Sequence, residues 1–137
     1  MIVAFTGSRR RSDTALIRQC LSILPGSCLI LHGGAPGIDT EVNTVCLASG
    51  LAVETVRPDR AGISSRFAAV KAYHARNLQL VERADIVLAF PAPDRKGGTE
   101  NTIEHAVRLG KPCFIYEAAN TTQNALQLAA LTQAVRV

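Results

Sequence analysis

The sequence predicts an α/β fold, a Rossmann-like three-layer sandwich on a mostly parallel five-stranded sheet. Five short, unbroken apolar runs recur along the 137 residues, and helix-length amphipathic stretches separate them. Alternation of this kind builds strand-helix-strand crossovers, and strands that are apolar throughout are strands covered on both faces. Punctuation is the second observation: Gly or Pro stands where most of the helical patterns stop.

Taken in order, a strand over 2–5 runs into Thr6-Gly7-Ser8-Arg9. A helix over 14–24 follows, with Ser12 or Asp13 as its cap and Pro25-Gly26 as its stop. The strand over 28–32 opens the turn His32-Gly33-Gly34-Ala35-Pro36-Gly37, and the helix over 38–49 ends at Gly50. After a strand over 52–56 comes the longest irregular segment, 57–66, with Pro58, Gly62 and two serines, a candidate lid or partner-contact loop. A helix over 67–83 leads to a strand over 86–90, and a helix over 100–109, stopped by Gly110, leads to a strand over 113–116. Asn120 caps a last helix near 121–132. No repeat, low-complexity stretch or linker interrupts the pattern, so a single domain over 1–137 is expected.

An apolar content of 47% against 19% charge excludes a disordered chain. The net charge of +4 favours anionic, phosphate-bearing partners without reaching the charge density of a DNA-coating protein. Cys20, Cys28, Cys46 and Cys113 form no C-x-x-C pair, have no His at metal-ligand spacing and sit among apolar neighbours. They read as core residues in a reducing cytosol, and neither a protein-held metal nor a resident cofactor is expected. The apolar start, 1–5, gives way at once to Arg9-Arg10-Arg11, which fits neither a signal peptide nor a membrane span. A cytoplasmic protein without a membrane partner is expected.

In a doubly wound sheet the ligand crevice lies beyond the carboxyl ends of the strands, where the strand order reverses. Three loops there are glycine-rich: Thr6-Gly7-Ser8-Arg9, His32-Gly33-Gly34-Ala35-Pro36-Gly37-Ile38-Asp39, and Lys96-Gly97-Gly98-Thr99-Glu100. Glycine lets backbone N–H groups approach an anion, and each loop opens a helix whose N-terminus attracts phosphate. Tight turns use glycine as well, so it is the conjunction of three that points to a site. Neither G-x-G-x-x-G nor a G-K-[ST] P-loop occurs, which weakens NAD-binding and ATP-hydrolysing readings.

These loops, together with Arg76-Asn77 and the stretch Ala84-Asp85 to Phe90-Pro91, resemble the SLOG superfamily over residues 2 to 116. That Rossmann-like grouping includes the LOG phosphoribohydrolases and the DNA-processing protein DprA; the small, single-domain bacterial and phage members look most similar. The resemblance implies a nucleotide or nucleotide-derived ligand, with its phosphate at Gly97, Gly98 and Thr99 and its base or ribose near Gly7, Ser8, Arg9, Gly33 and Gly34. In LOG enzymes an arginine before the fourth strand and a glutamate in G-G-x-G-T-x-x-E carry hydrolysis of an N-glycosidic bond. Arg76 matches the arginine, but Thr102 stands where the glutamate would be, and the neighbouring acids are Glu100 and Glu104. At 100° per residue Glu100 falls on another flank of the helix, so it serves either as a relocated catalytic acid or as a favourable charge at a helix N-terminus.

The remaining residues keep two readings each. Asp39 bonds a ribose or caps a helix, Ser8 and Thr99 donate hydroxyls to phosphate or shape turns, and Arg9 faces the crevice or belongs to a solvated charge run. Arg76 beside Asn77 has the strongest functional case. His32 contacts a base or is a buried structural histidine, while His74 and His105 are expected on exposed helix faces. The missing glutamate favours a module that senses or sequesters a nucleotide; the alternative is a phosphoribohydrolase using Arg76 and Glu100. Few aromatics for base stacking argue against nucleic acid. The apolar segment Ala125 to Leu131 predicts a homo-oligomer.

Overall fold

The structure, a computed structural model, describes residues 1–117 and Leu128. Five strands, β1 (Ile2–Gly7), β2 (Leu29–His32), β3 (Ala52–Thr55), β4 (Ile86–Phe90) and β5 (Cys113–Ile115), form one sheet in the order β3-β2-β1-β4-β5. All four pairings are parallel. The chain between them forms α1 (Thr14–Ile23), α2 (Ile38–Ser49), α3 (Arg66–Arg83) and α4 (Gly98–Arg108). β1 runs two residues past its apolar run because Thr6 and Gly7 stay in register with Ala89 and Phe90 of β4.

Alternation along the strands divides the core into two layers. Val3, Phe5, Ile30, Ile86, Leu88 and Phe90 face Leu16, Ile17 and Cys20 of α1 and Val42, Val45 and Cys46 of α2. Ala4, Leu31 and Val87 face Leu80 and Val81 of α3 and Ala106 of α4. Phe5, Phe90 and Tyr116 stack in sequence, with centroids 5.9 and 5.0 Å apart, which ties the ends of β1, β4 and β5 together. The four cysteines form no disulfide, and burial pushes the thiols of Cys20, Cys46 and Cys113 up to about 11, so they stay protonated and inert.

Several helix ends differ in detail from expectation. Asp13 is the N-cap of α1, but its carboxylate pairs with Arg11 at 2.8 Å and caps nothing. Glu41 of α2 does the capping, accepting the Asp13 N–H at 2.9 Å and the Thr14 hydroxyl at 2.6 Å. Ser65 caps α3 through the Ala68 N–H, and Gly50 closes α2 in the left-handed conformation. The helix predicted over 121–132 lies outside the described residues except for Leu128, which is helical and fully buried in the layer under α1 and α2. One residue of the segment expected to pair with a second chain therefore packs into this chain's own core. Among the described residues no helix is long and apolar enough to cross a membrane.

Candidate ligand-binding cleft

Strand order reverses between β1 and β4, and a cleft of about 680 Å³ opens beyond their carboxyl ends. Thr6, Gly7, Ser8 and Arg9 come to it from β1, Gly33, Ala35 and Asp39 from the β2–α2 turn, and Gly97, Gly98 and Thr99 from the start of α4. Arg76 and Asn77 of α3 form its wall. Of the residues that the sequence assigns to a ligand or to catalysis, Gly34, Glu100 and His32 stand outside this lining; Gly34 borders an adjoining pocket of about 350 Å³. Tyr73 escaped the sequence reading although its spacing from Arg76, one helical turn, puts both on the same face of α3.

The three glycine-rich loops differ in which N–H groups remain available. In the β2–α2 turn Asp39 Oδ2 accepts the N–H groups of Gly33 at 3.1 Å and Ala35 at 3.2 Å, and His32 Nδ1 accepts that of Gly34 at 3.0 Å. With Nδ1 an acceptor, Nε2 of His32 donates to Asn43 at 3.0 Å, so this buried histidine is structural. After β1, Ser8 N–H donates to the Phe90 carbonyl and Arg10 N–H to the Ser8 hydroxyl. The N–H groups of Gly97, Gly98 and Thr99, three in succession where α4 begins, have no hydrogen-bond partner among the described residues. Added Cβ atoms at Gly97 or Gly98 would meet open space, so the backbone here faces the cleft bare.

Other glycines have packing reasons. A Cβ on Gly7 would lie 2.4 Å from Ile38 Cβ, so Gly7 lets β1 touch the first turn of α2. A Cβ on Gly33 would lie 2.5 Å from Arg76 Nη1.

Arg76 is buried and takes part in the wall as much as in the cleft. Its Nη1 donates to the Gly33 carbonyl at 2.6 Å and its Nε to Asn77 Oδ1 at 3.0 Å. Asn77 in turn donates to Asn101 at 3.1 Å and reaches the Gly98 carbonyl at 3.4 Å, which holds the start of α4 against α3. Burial lowers the Arg76 pKa, with the charge of Asp39 opposing the shift. Burial raises that of Asp39, against the pull of its backbone donors, His32 and Arg76. Among the described residues, Asp39 Oδ1 is buried without a hydrogen-bond partner, and Asp39 is the sole carboxylate in the cleft lining.

Glu100 is clamped away from the cleft. Arg95 holds both its oxygens, through Nε at 3.1 and 3.0 Å and Nη2 at 2.9 Å, and also pairs with Glu117. Arg95 adopts a left-handed φ of 55°, a strained conformation that these two acids stabilise. Thr102 is fully buried and bonds the Thr6 hydroxyl at 3.4 Å. The arginine run divides as well: Arg11 is half-buried and donates to the carbonyls of Pro91 and Tyr116, Arg10 pairs with Asp94, and Arg9 lies over the Tyr73 ring. His74 is exposed as expected, whereas His105 is half-buried and bonds Arg108. No cluster of three metal-binding side chains occurs among the described residues.

No protein-family model matches the chain, and no curated protein matches it in sequence. Solved structures do match it. DNA processing protein A (DprA) from Streptococcus pneumoniae aligns with a TM-score of 0.68 at 19% identity, over 96% of this chain and 56% of that one. The chain thus spans little more than half of that protein. The structural-genomics target TM1055 aligns with a TM-score of 0.59 at 20% identity, over 82% of this chain and 71% of that one. The molybdenum cofactor binding protein from the phototrophic bacterium Rippkaea orientalis gives 0.61 at 16% identity, over 96% and 84%. These solved structures share the fold of the chain, which is that of a Rossmann-like α/β protein.

Proposed function

We propose that the cleft binds a nucleotide or nucleotide-derived ligand, holding its phosphate at the start of α4, and that the protein senses or sequesters this ligand without turning it over. The observation that carries this reading is the set of N–H groups at Gly97, Gly98 and Thr99 that have no partner among the described residues, on a helix N-terminus that opens onto the cleft. Lys96 beside them and Arg9 and Arg76 across the cleft add positive charge. A chain of the same fold, the molybdenum cofactor binding protein of Rippkaea orientalis, is named for binding a cofactor, which suits a ligand-holding role for the cleft.

Turnover lacks an acid in the expected place. Glu100 is held by Arg95 outside the lining, and Thr102 is buried. A panel of nucleoside 5′-monophosphates, titrated calorimetrically and then analysed by liquid chromatography, should show binding without release of free base. Absence of binding by every member would overturn the proposal.

One observation favours the hydrolytic alternative. Asp39 lines the cleft, has a buried oxygen without a hydrogen-bond partner among the described residues, and has its pKa raised by burial, features suited to a general acid or base. Base release by the parent that disappears in Asp39→Asn would make the protein a phosphoribohydrolase with Asp39, rather than Glu100, as its acid.

A further inference from the structure

Past Arg76 the cleft continues into the adjoining pocket of about 350 Å³, under the loops that follow β2 and β3. Four arginines, Arg9, Arg57, Arg60 and Arg76, line it together with Tyr73, and among the described residues no Asp or Glu does. The guanidinium carbons of Arg76, Arg9 and Arg60 lie 5.6, 5.7 and 6.0 Å from the centre of the Tyr73 ring. Arg57 comes over Gly34, its Nη1 3.6 Å from where a Cβ would stand.

None of these four is ion-paired among the described residues, unlike Arg10, Arg11, Arg83 and Arg95. Asp59, the acid of the same loop, accepts the Ala61 N–H at 3.0 Å and is absent from the lining. Three guanidiniums about one ring, with a fourth in the same pocket, repel each other, and the ring's π face offsets only part of that repulsion. An anion placed among them relieves it, and the planar donor fork of arginine matches phosphate oxygens.

Position sets what that anion belongs to. The phosphate loop follows β4, whereas the arginine pocket lies after β2 and β3, two to three strands away. At about 4.8 Å per strand the separation is of order 10 Å, too far for the neighbouring phosphates of one diphosphate chain. A sugar between the two phosphates holds them farther apart than an anhydride does, and the long arginine side chains, two of which line both pockets, reach across the remainder.

Building on the nucleotide-binding reading, we propose that the arginine pocket takes a second phosphate of the same ligand, which makes the ligand a nucleotide phosphorylated on both sides of its sugar. Arg9 and Arg76 line both pockets and would stand between the two anions.

The test is calorimetric titration of the full chain with three ligands of one base: a nucleoside 5′-monophosphate, its 3′,5′-bisphosphate, and a 5′-phosphorylated dinucleotide. The same series is run on the double variant R57A/R60A, whose altered side chains are exposed. In the parent, a doubly phosphorylated ligand should bind at least about 10-fold tighter than the monophosphate, a difference of about 1.4 kcal/mol. In the double variant that advantage should vanish while monophosphate affinity stays within about threefold. Equal affinities in the parent, an advantage that survives the double substitution, or a parallel loss for the monophosphate would each overturn the inference and leave the nucleotide-binding reading intact. Failure of the parent to bind any of the three would overturn both.

Discussion

The Arg76 guanidinium fills the space that a side chain on Gly33 would need, and it donates to the carbonyl of that same glycine at 2.6 Å. Two residues that looked like separate ligand contacts in the sequence are thus one interlocked unit of the cleft wall. Gly33→Ala should force the buried guanidinium out of place and destabilise the protein by about 1–3 kcal/mol. Urea unfolding reads this directly, and an unchanged midpoint would show that the wall tolerates the displacement.

Arg76→Ala tests the same unit from the other side. It leaves the Gly33 carbonyl and Asn77 Oδ1 without their charged donor, so stability should fall by about 1–3 kcal/mol. Monophosphate affinity should fall too, by about 10-fold or more, because Asn77 no longer holds the start of α4 in place. Unaltered affinity in a folded variant would remove Arg76 from the binding reading.

Phosphate should find one loop and ignore another. In an amide NMR titration with inorganic phosphate, the signals of Gly97, Gly98 and Thr99 should shift, while those of Gly33 and Ala35, already bonded to Asp39, stay in place. The opposite pattern would mean that phosphate displaces Asp39, and the assignment of the phosphate loop would fall.

Glu100→Gln should leave monophosphate affinity within about a factor of 5, since the residue lies outside the cleft and faces Arg95. A larger loss, measured by the same calorimetry, would return Glu100 to the site.

Asp39 makes stability depend on pH in a definite direction. Burial raises its folded pKa above the unfolded value, so its protonated form favours the folded state. That contribution is fully present below the unfolded pKa and is lost as pH rises through the raised folded value. Urea unfolding of the parent and Asp39→Asn between pH 4 and about 8 should show the parent losing ground to the variant as pH rises. A parent that gains relative stability with pH would reverse the sign and refute the burial effect.

Hydrophobic patterning along the chain was enough for the order of strands and helices and for the crevice at the ends of β1, β2 and β4, because burial acts on periodicities that each segment carries by itself. Even there, the apolar run stops two residues short of the end of β1: Thr6 and Gly7 join the sheet only because β4 offers them partners. The glycine-rich loops were legible too, but not their different uses. Whether an N–H group is free for a phosphate depends on what the fold places opposite it, and Asp39, six residues from Gly33, closes one loop while nothing among the described residues closes the loop at Gly97. The same holds for charge. Glu100 stands outside the cleft because Arg95 adopts a left-handed turn that clamps it, and Arg57 and Arg60 share a pocket with Tyr73 and Arg76 only through the packing of loops from different strands. Hydrogen bonds and ion pairs are satisfied between residues distant in sequence, so their assignment belongs to the tertiary structure.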